Sequence, residues 1–410
     1  MNVLHGKCAG LDVHKETVVA CLRIADDEGA RHETRTFSAN VSGLLALSEW
    51  LSENGCTHVA MEATGIYWKP VWYVLEGAFE LVLANAAHVK NVPGRKTDVK
   101  DAQWLGDLLA HGLIEASFVP PRPIQHLRDY TRTRKQLVQE MTRHTQRIQK
   151  VLETANLKLS SVLSDVLGKT GRAVLEALTR GEQDPKKLLA LKDRRVAASD
   201  KEFLEALRGV ATPHHQFMLR LHLDQIDSLQ RAIDLVDRQL QEALAPFRPK
   251  VELLDTIPGV SNVTSSAILA EIGTDMSRFP TSAHLVSWAG LCPGNDESAG
   301  KRRSRRLRKS SPWLKPMLVQ AAWAAVKKKD LYPRAQFNRL RARKGPKKAI
   351  IAVAASLLTA AYHILRTGQP YVDLGPAHFD QRTKARTVSS LVNRLQQLAF
   401  NVNLQPAPAA

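Results

Sequence analysis

The chain has 410 residues, 44% of them hydrophobic, and 58 Lys and Arg against 40 Asp and Glu give it a formal net charge of +18. Such a length accommodates two or three domains, and so basic a balance points to nucleic acid or an anionic membrane as partner. Cys8, Cys21, Cys56 and Cys292 form no CxxC pair, which argues against structural zinc and a disulfide framework and for a reducing cytoplasm.

Cys8 to Val13 and Thr17 to Leu22 read as two β-rich runs joined by a polar turn, a hairpin with Asp12 on its first strand. A third run, Thr34 to Phe37, and a helical stretch from Val41 to Leu51 lead to an apolar strand from His58 that ends in Glu62 and a Gly turn. After a strand from Phe79 to Ala84, a basic loop from Lys90 to Lys96 precedes a helix with Thr97 as N-cap, running to about Leu113. Asp98 and Asp101 then share a helix face at i, i+3.

These four carboxylates come from a first strand, a fourth strand and a following helix, where an RNase-H-like nuclease would place its metal ligands. Gathered at one point they repel and shift each other's pKa unless cations neutralise them. Oxygen-only ligands suit magnesium, with manganese as the alternative, and two such ions can clamp both oxygens of a phosphoryl transfer. The competing reading is four solvated surface acids. Asp12 and Glu62 speak against it, because each is embedded in an apolar strand segment where an unpaired acid is costly.

From Ile124 to about Ala155, and again from Phe217 to Leu244, apolar residues recur at near-helical spacing and predict two long amphipathic helices. Such a pair serves equally as a dimerisation device or as a hairpin within one chain. Gly168, Gly171, Gly181 and Pro185 punctuate short helices between them.

Leu254 to Gly273, with Ile257-Pro258-Gly259-Val260 at its centre, resembles a helix-hairpin-helix, whose Pro-Gly turn directs backbone amides towards a phosphate; a tight helical turn without ligand is the alternative. Trp288 to Arg303 reads as a small-residue loop with Ser298 at the start of a basic run. Between Lys301 and Lys348, 18 Lys and Arg stand against Asp330 alone. So lopsided a run fits phosphate contacts better than a solvated face, and Lys301, Arg302, Arg303, Arg305, Arg306, Arg308 and Lys309 lead it. Trp313, Trp323, Tyr332 and Phe337 are interleaved as stacking groups or as core. On chemistry alone a loop serine is either polar surface or a nucleophile awaiting activation, with the arginines placed to stabilise transition-state charge. Ala349 to Leu365 is the most apolar stretch, and its alanines, His363 and flanking bases predict a core-packed helix over a membrane span. No secretory leader is recognisable. The expected organisation is an α/β RNase-H-like (RuvC-like) domain at 1–118, a helical coiled-coil region at 119–250, a mainly α domain with the helix-hairpin-helix at 251–370, and a tail with a short helix at 371–410.

Taken in order, Gly10-Leu11-Asp12-Val13-His14-Lys15, Met61-Glu62-Ala63-Thr64-Gly65, Lys96-Thr97-Asp98-Val99-Lys100-Asp101-Ala102, Ile257-Pro258-Gly259-Val260 and Gly290-Leu291-Cys292-Pro293 through Ser298 resemble the transposases of the insertion sequence 110 family over nearly the full length. The resemblance implies a RuvC-like domain in which Asp12, Glu62, Asp98 and Asp101 hold metal, and a C-terminal transposase domain in which Ser298 is the covalent nucleophile. It also implies donor and target DNA as substrates, a structured bridge RNA as guide, a dimeric or tetrameric assembly, and action at the prokaryotic nucleoid. One departure from the pattern is the sequence Glu297-Ser298-Ala299-Gly300, where many relatives place Gly directly after the serine; Ser304 and Ser310 remain competitors. The expected function is therefore magnesium-dependent DNA strand cleavage and exchange through a serine-DNA link. A Holliday-junction-type nuclease using only the carboxylates, and a non-catalytic nucleic-acid-binding protein, are the alternatives.

Overall fold

The computed structural model describes residues 3–26, 29–63, 65–85, 89, 101–294, 296–298, 301–304, 306–307 and 312–403, with backbone alone at 26, 296–298, 302–304 and 380–387. The chain divides into two units, Met1–Val119 and Pro120–Ala410.

In the first unit β1 (Lys7–Val13), β2 (Thr17–Asp26), β3 (Gly29–Ser38), β4 (His58–Glu62) and β5 (Glu80–Ala84) form one sheet in the order β3-β2-β1-β4-β5. The first three strands pair antiparallel, and β4 and β5 join parallel to β1. Strand β3 is longer than the Thr34–Phe37 run predicts. It is an edge strand whose residues are mostly exposed, so its outer half carries polar side chains and no alternation that periodicity would detect.

Residues alternate between the two faces of the sheet. Ala9, Leu11 and Val13 of β1 and Val59 and Met61 of β4 join one buried cluster with Leu44, Leu47 and Leu51 of α1 (Val41–Glu53) and Val71 and Leu75 of α2 (Trp68–Leu75). Helix α2 was not anticipated from its aromatic-rich sequence with Pro70; that proline falls in the first turn, where its missing N–H costs nothing.

The other face receives α3 (Asp101–Ala110), which runs antiparallel to β1. Leu4 N donates to Ala110 O at 2.8 Å, Cys8 Sγ to Gly106 O at 3.5 Å, and Gly10 lies under Ala102. The contact at Gly10 is so close that a Cβ there would overlap Ala102 O and Gly106 N and stand 2.9 Å from Leu105 Cβ. Asp107 locks the helix laterally, its Oδ1 accepting from Arg23 Nε at 3.1 Å and lying 2.9 Å from His32 Nε2. Gly10→Val should therefore displace α3 and destabilise the unit by about 3 kcal/mol, the upper end for overpacking a tight contact, as read from denaturant unfolding.

The second unit is helical apart from one small hairpin. Helices α4 (Arg122–Thr154) and α9 (Pro213–Leu244) pack side by side and antiparallel: Arg134 donates to both Asp237 carboxylate oxygens, His144 meets His222 at 3.3 Å, and Thr154 meets His215 at 3.4 Å. The two amphipathic helices therefore form a hairpin within one chain. At its far end Ile148, Leu152, Leu219 and Leu223 share a core with α5 (Leu159–Val162), α6 (Lys169–Thr179), α7 (Pro185–Leu189) and α8 (Asp200–Ala206).

At its near end Ile124, Leu127, Leu240 and Leu244 join a larger core with α10 (Arg248–Asp255), α11 (Asn262–Ile272), α12 (Ser282–Trp288), α13 (Leu314–Ala325), α14 (Tyr332–Lys344) and α15 (Pro346–Thr367). Helix α15 is long and apolar enough to cross a membrane by length and composition, yet Ala349, Val353, Leu357, Leu358 and Ala361 lie in this core, as predicted for a packed helix. Helix α16 (His378–Gln397) follows.

Two arginines tie α4 to α11. Arg128 Nε donates to Ala270 O at 2.9 Å, and Arg132 donates through Nε and Nη2 to the two carboxylate oxygens of Glu271 at 2.8 and 2.9 Å. Glu271 is 2% exposed, and burial pulls the Arg128 guanidinium pKa down to about 10. A buried carboxylate is tolerated only with such partners. Arg132→Ala strands the Glu271 charge and should cost about 3–5 kcal/mol in thermal or denaturant unfolding, more than Glu271→Gln, which removes the charge itself.

Candidate active site

Strands β1 and β4 are in register from Cys8↔His58 to Leu11↔Met61. Asp12 and Glu62 are the next residues on each strand, so they end neighbouring parallel strands side by side. Alternation places both on the face that carries α3, because Cys8 and Gly10 on β1 and Ala60 on β4 face that way. Helix α3 runs antiparallel to β1, so its first residue, Asp101, comes to this same end of the sheet.

Three of the four predicted carboxylates thus lie at one end of the sheet, on β1, β4 and α3. Asp98 lies outside the described residues. Asp12 retains 24% of its side-chain exposure and its Oδ2 lies 3.2 Å from Nε2 of His14, two residues further along the same face. Glu62 and Asp101 are half-buried, and Asp101 Oδ1 is withdrawn from solvent. Among the described residues no three His, Cys, Asp or Glu side chains stand close enough to hold a metal ion. The donor chemistry of the three carboxylates, oxygen alone, is that of a hard divalent cation.

The second unit holds the remaining predicted groups. Helices α10 and α11 flank the turn at Pro258-Gly259, so the stretch read as resembling a helix-hairpin-helix consists of two helices joined by a tight turn. Gly259 (φ +81°) presses the turn against α13, where a Cβ would overlap Ala321 O and stand 2.5 Å from Ala325 N. The Pro-Gly turn is therefore packed on its own domain, while Ser261, Asn262 and Val263 at the start of α11 are exposed.

Ser298 does not lie in a small-residue loop. It ends β6 (Asp296–Ser298), which pairs antiparallel with β7 (Lys301–Ser304), Ser298 facing Lys301 and Glu297 facing Arg302 in the register. Two residues separate Ser298 from Lys301 in the sequence, and of the two acids before the serine Glu297 lies opposite Arg302 in the register while Asp296 lies opposite Ser304. Gly294 N donates to Arg306 O at 3.0 Å and Pro293 bridges to Leu307, closing the base of the hairpin. Lys301 and Arg306 are exposed; Arg302 and Arg303 are described by backbone alone, and Arg305, Arg308, Lys309 and Ser310 lie outside the described residues.

Sequence reasoning missed the groups that hold these pieces in place: Asp107 with Arg23 and His32, Glu271 with Arg128 and Arg132, and Trp313, whose ring lies 5.3 Å from both the Arg132 guanidinium carbon and Lys135 Nζ. A signal existed for Glu271, an acid inside the apolar stretch Ala267–Ile272.

Residues 9–157, which include Asp12, Glu62, Asp98 and Asp101, match a family model described as a transposase, of the DEDD type of IS110. Residues 251–338, which include the Pro-Gly turn and Ser298, match one described as "Transposase IS116/IS110/IS902 family". The chain is 25% identical to the pilin gene-inverting proteins of Moraxella bovis and Moraxella lacunata over 378 and 381 residues, 88% of this chain and 96% of each of theirs. It is 30% identical over 157 residues to the insertion element IS110 uncharacterized 43.6 kDa protein of Streptomyces coelicolor, a similarity that spans 38% of this chain and 37% of that protein. The two family matches together cover more than half of the chain in the expected order, and the chain belongs to the IS110 family of transposases.

Proposed function

We propose that the protein cleaves and rejoins DNA strands to move or invert a DNA segment, with an RNase-H-like carboxylate centre in its first unit and Ser298 as nucleophile in its second. The observation that carries this reading is the placement of Asp12, Glu62 and Asp101 at one end of the sheet, on adjacent in-register strands and the helix laid over them. Magnesium or manganese bound by these residues with Asp98 would supply Lewis-acid charge for phosphoryl transfer. The strand order, three antiparallel strands extended by two parallel ones, supports the RNase-H-like assignment.

Ser298 Oγ attacks a backbone phosphate, forming an ester bond as the DNA hydroxyl leaves; attack by another strand's hydroxyl reverses the step and completes exchange. Lys301, opposite Ser298 in the register, and the arginines that follow it in the sequence would supply positive charge to the phosphorane-like transition state. The basic run grips phosphates of donor and target DNA and of a guide RNA, and the working assembly is a dimer or tetramer. The names of the Moraxella relatives favour inversion as one outcome of the same chemistry.

On a branched DNA substrate with magnesium, Asp12→Asn and Asp101→Asn should each lower cleavage by at least about a hundredfold with binding retained. A DNA-protein band that survives denaturation should form with the parent chain and with Ser304→Ala, and vanish with Ser298→Ala. Persistence of the band in Ser298→Ala overturns the nucleophile assignment. Cleavage by the parent chain without any band identifies a hydrolytic junction nuclease, and binding without cleavage a non-catalytic protein.

A further inference from the structure

The serine hairpin leaves the large core at Leu291 and returns to it at Leu314, residues 4% and 2% exposed in the same cluster. The return point is held from outside that core by α4. Lys135 Nζ donates to Pro312 O at 2.8 Å and to Trp313 O at 3.4 Å, and lies 5.3 Å from the centre of the Trp313 ring. One turn earlier on α4, the Arg132 guanidinium carbon lies at the same 5.3 Å from that ring, while both its donors are fixed on Glu271. These distances are within cation–π range, and partial desolvation strengthens such contacts. Burial lowers the Lys135 pKa, the mark of an ammonium drawn out of water.

Helix α13 keeps its place through Leu314, Leu318 and Ala322 whether or not this grip exists. Lys135 and Trp313 are only half-buried, so their contribution to overall stability is small. What the grip fixes is the position of Pro312 and Trp313, five and six residues beyond Leu307 at the hairpin base. We infer that Lys135 is a positioning residue for strand cleavage: acting through Trp313, against whose ring Arg132 also lies, it holds the C-terminal foot of the β6–β7 hairpin and thereby the strand that ends in Ser298. The inference rests on the assignment of Ser298 as the nucleophile. Misplacing a reacting group by about an ångström can cost a hundredfold in rate, so a loosened foot is felt in cleavage without loss of fold.

The test uses full-length Lys135→Ala, Lys135→Arg and Trp313→Leu. Four quantities are read: the rate of tryptic cutting between Lys301 and Lys309, located by mass, the rate of covalent adduct formation, the affinity for the branched DNA, and the thermal midpoint. Lys135→Ala and Trp313→Leu should be cut several-fold faster and form adduct about tenfold more slowly, with affinity and midpoint unchanged. Lys135→Arg, which keeps a cation over the ring, should restore both rates. Tryptic rates at the parental value in Lys135→Ala and Trp313→Leu overturn the anchoring, whatever the nucleophile. Faster tryptic cutting with a parental adduct rate overturns the positioning role. Adduct that persists in Ser298→Ala is a separate failure, that of the nucleophile assignment, and removes the consequence for catalysis.

Discussion

The contact between Gly10 and α3 is the constraint that sets where Asp101 lies relative to the strand ends of the first unit. Without a side chain at that position the helix backbone settles directly onto β1, with Ala102 and Gly106 against the strand. Any Cβ would lift the helix, and with it Asp101, away from the strand ends that carry Asp12 and Glu62. Asp107, held by Arg23 and His32, prevents the helix from sliding sideways. The placement of these three acids is thus set by the packing of Gly10 against Ala102 and Gly106, and by the contacts of Asp107 on the flank.

The second unit is organised by α4. Its first turns belong to the large core through Ile124 and Leu127, and the next turns place Arg128 and Arg132 on the carbonyls and carboxylate at the end of α11. Trp313 lies beside the same turns, so one helix face holds both the end of α11 and the residues just before α13. Beyond that point α4 continues as one arm of the antiparallel hairpin with α9, whose far end has its own core. The paired polar contacts matter here because the hairpin is short and rich in bases; its own two-stranded ladder is marginal in water and needs a fixed base to hold one conformation.

Much of this organisation is written in local patterns. The strand ends bearing Asp12 and Glu62, the two long amphipathic helices, the Pro-Gly turn and the core-packed helix at Ala349–Leu365 were all legible, because each depends on periodicity or turn chemistry over a few residues. Less legible were elements whose signal is weak or misleading. The outer half of β3 is polar because it is an edge, α2 carries a proline that only its first-turn position makes harmless, and β6 looked like a loop because small and charged residues dominate a two-stranded ribbon.

The sequence by itself determined which residues are candidates for chemistry, the ordered acids and the serine ahead of a basic run, and it carried motifs specific enough to identify the family. It also limited the long helices to two arrangements without choosing between them. Tertiary structure chose the intramolecular hairpin, assigned Gly259 to packing against α13, and brought Asp101 to the same end of the sheet as Asp12 and Glu62. It also joined Glu271 to Arg128 and Arg132 across more than a hundred residues of chain. Each of these depends on contacts between distant segments, where close packing, burial of charge and register select one arrangement among several that local patterning permits equally.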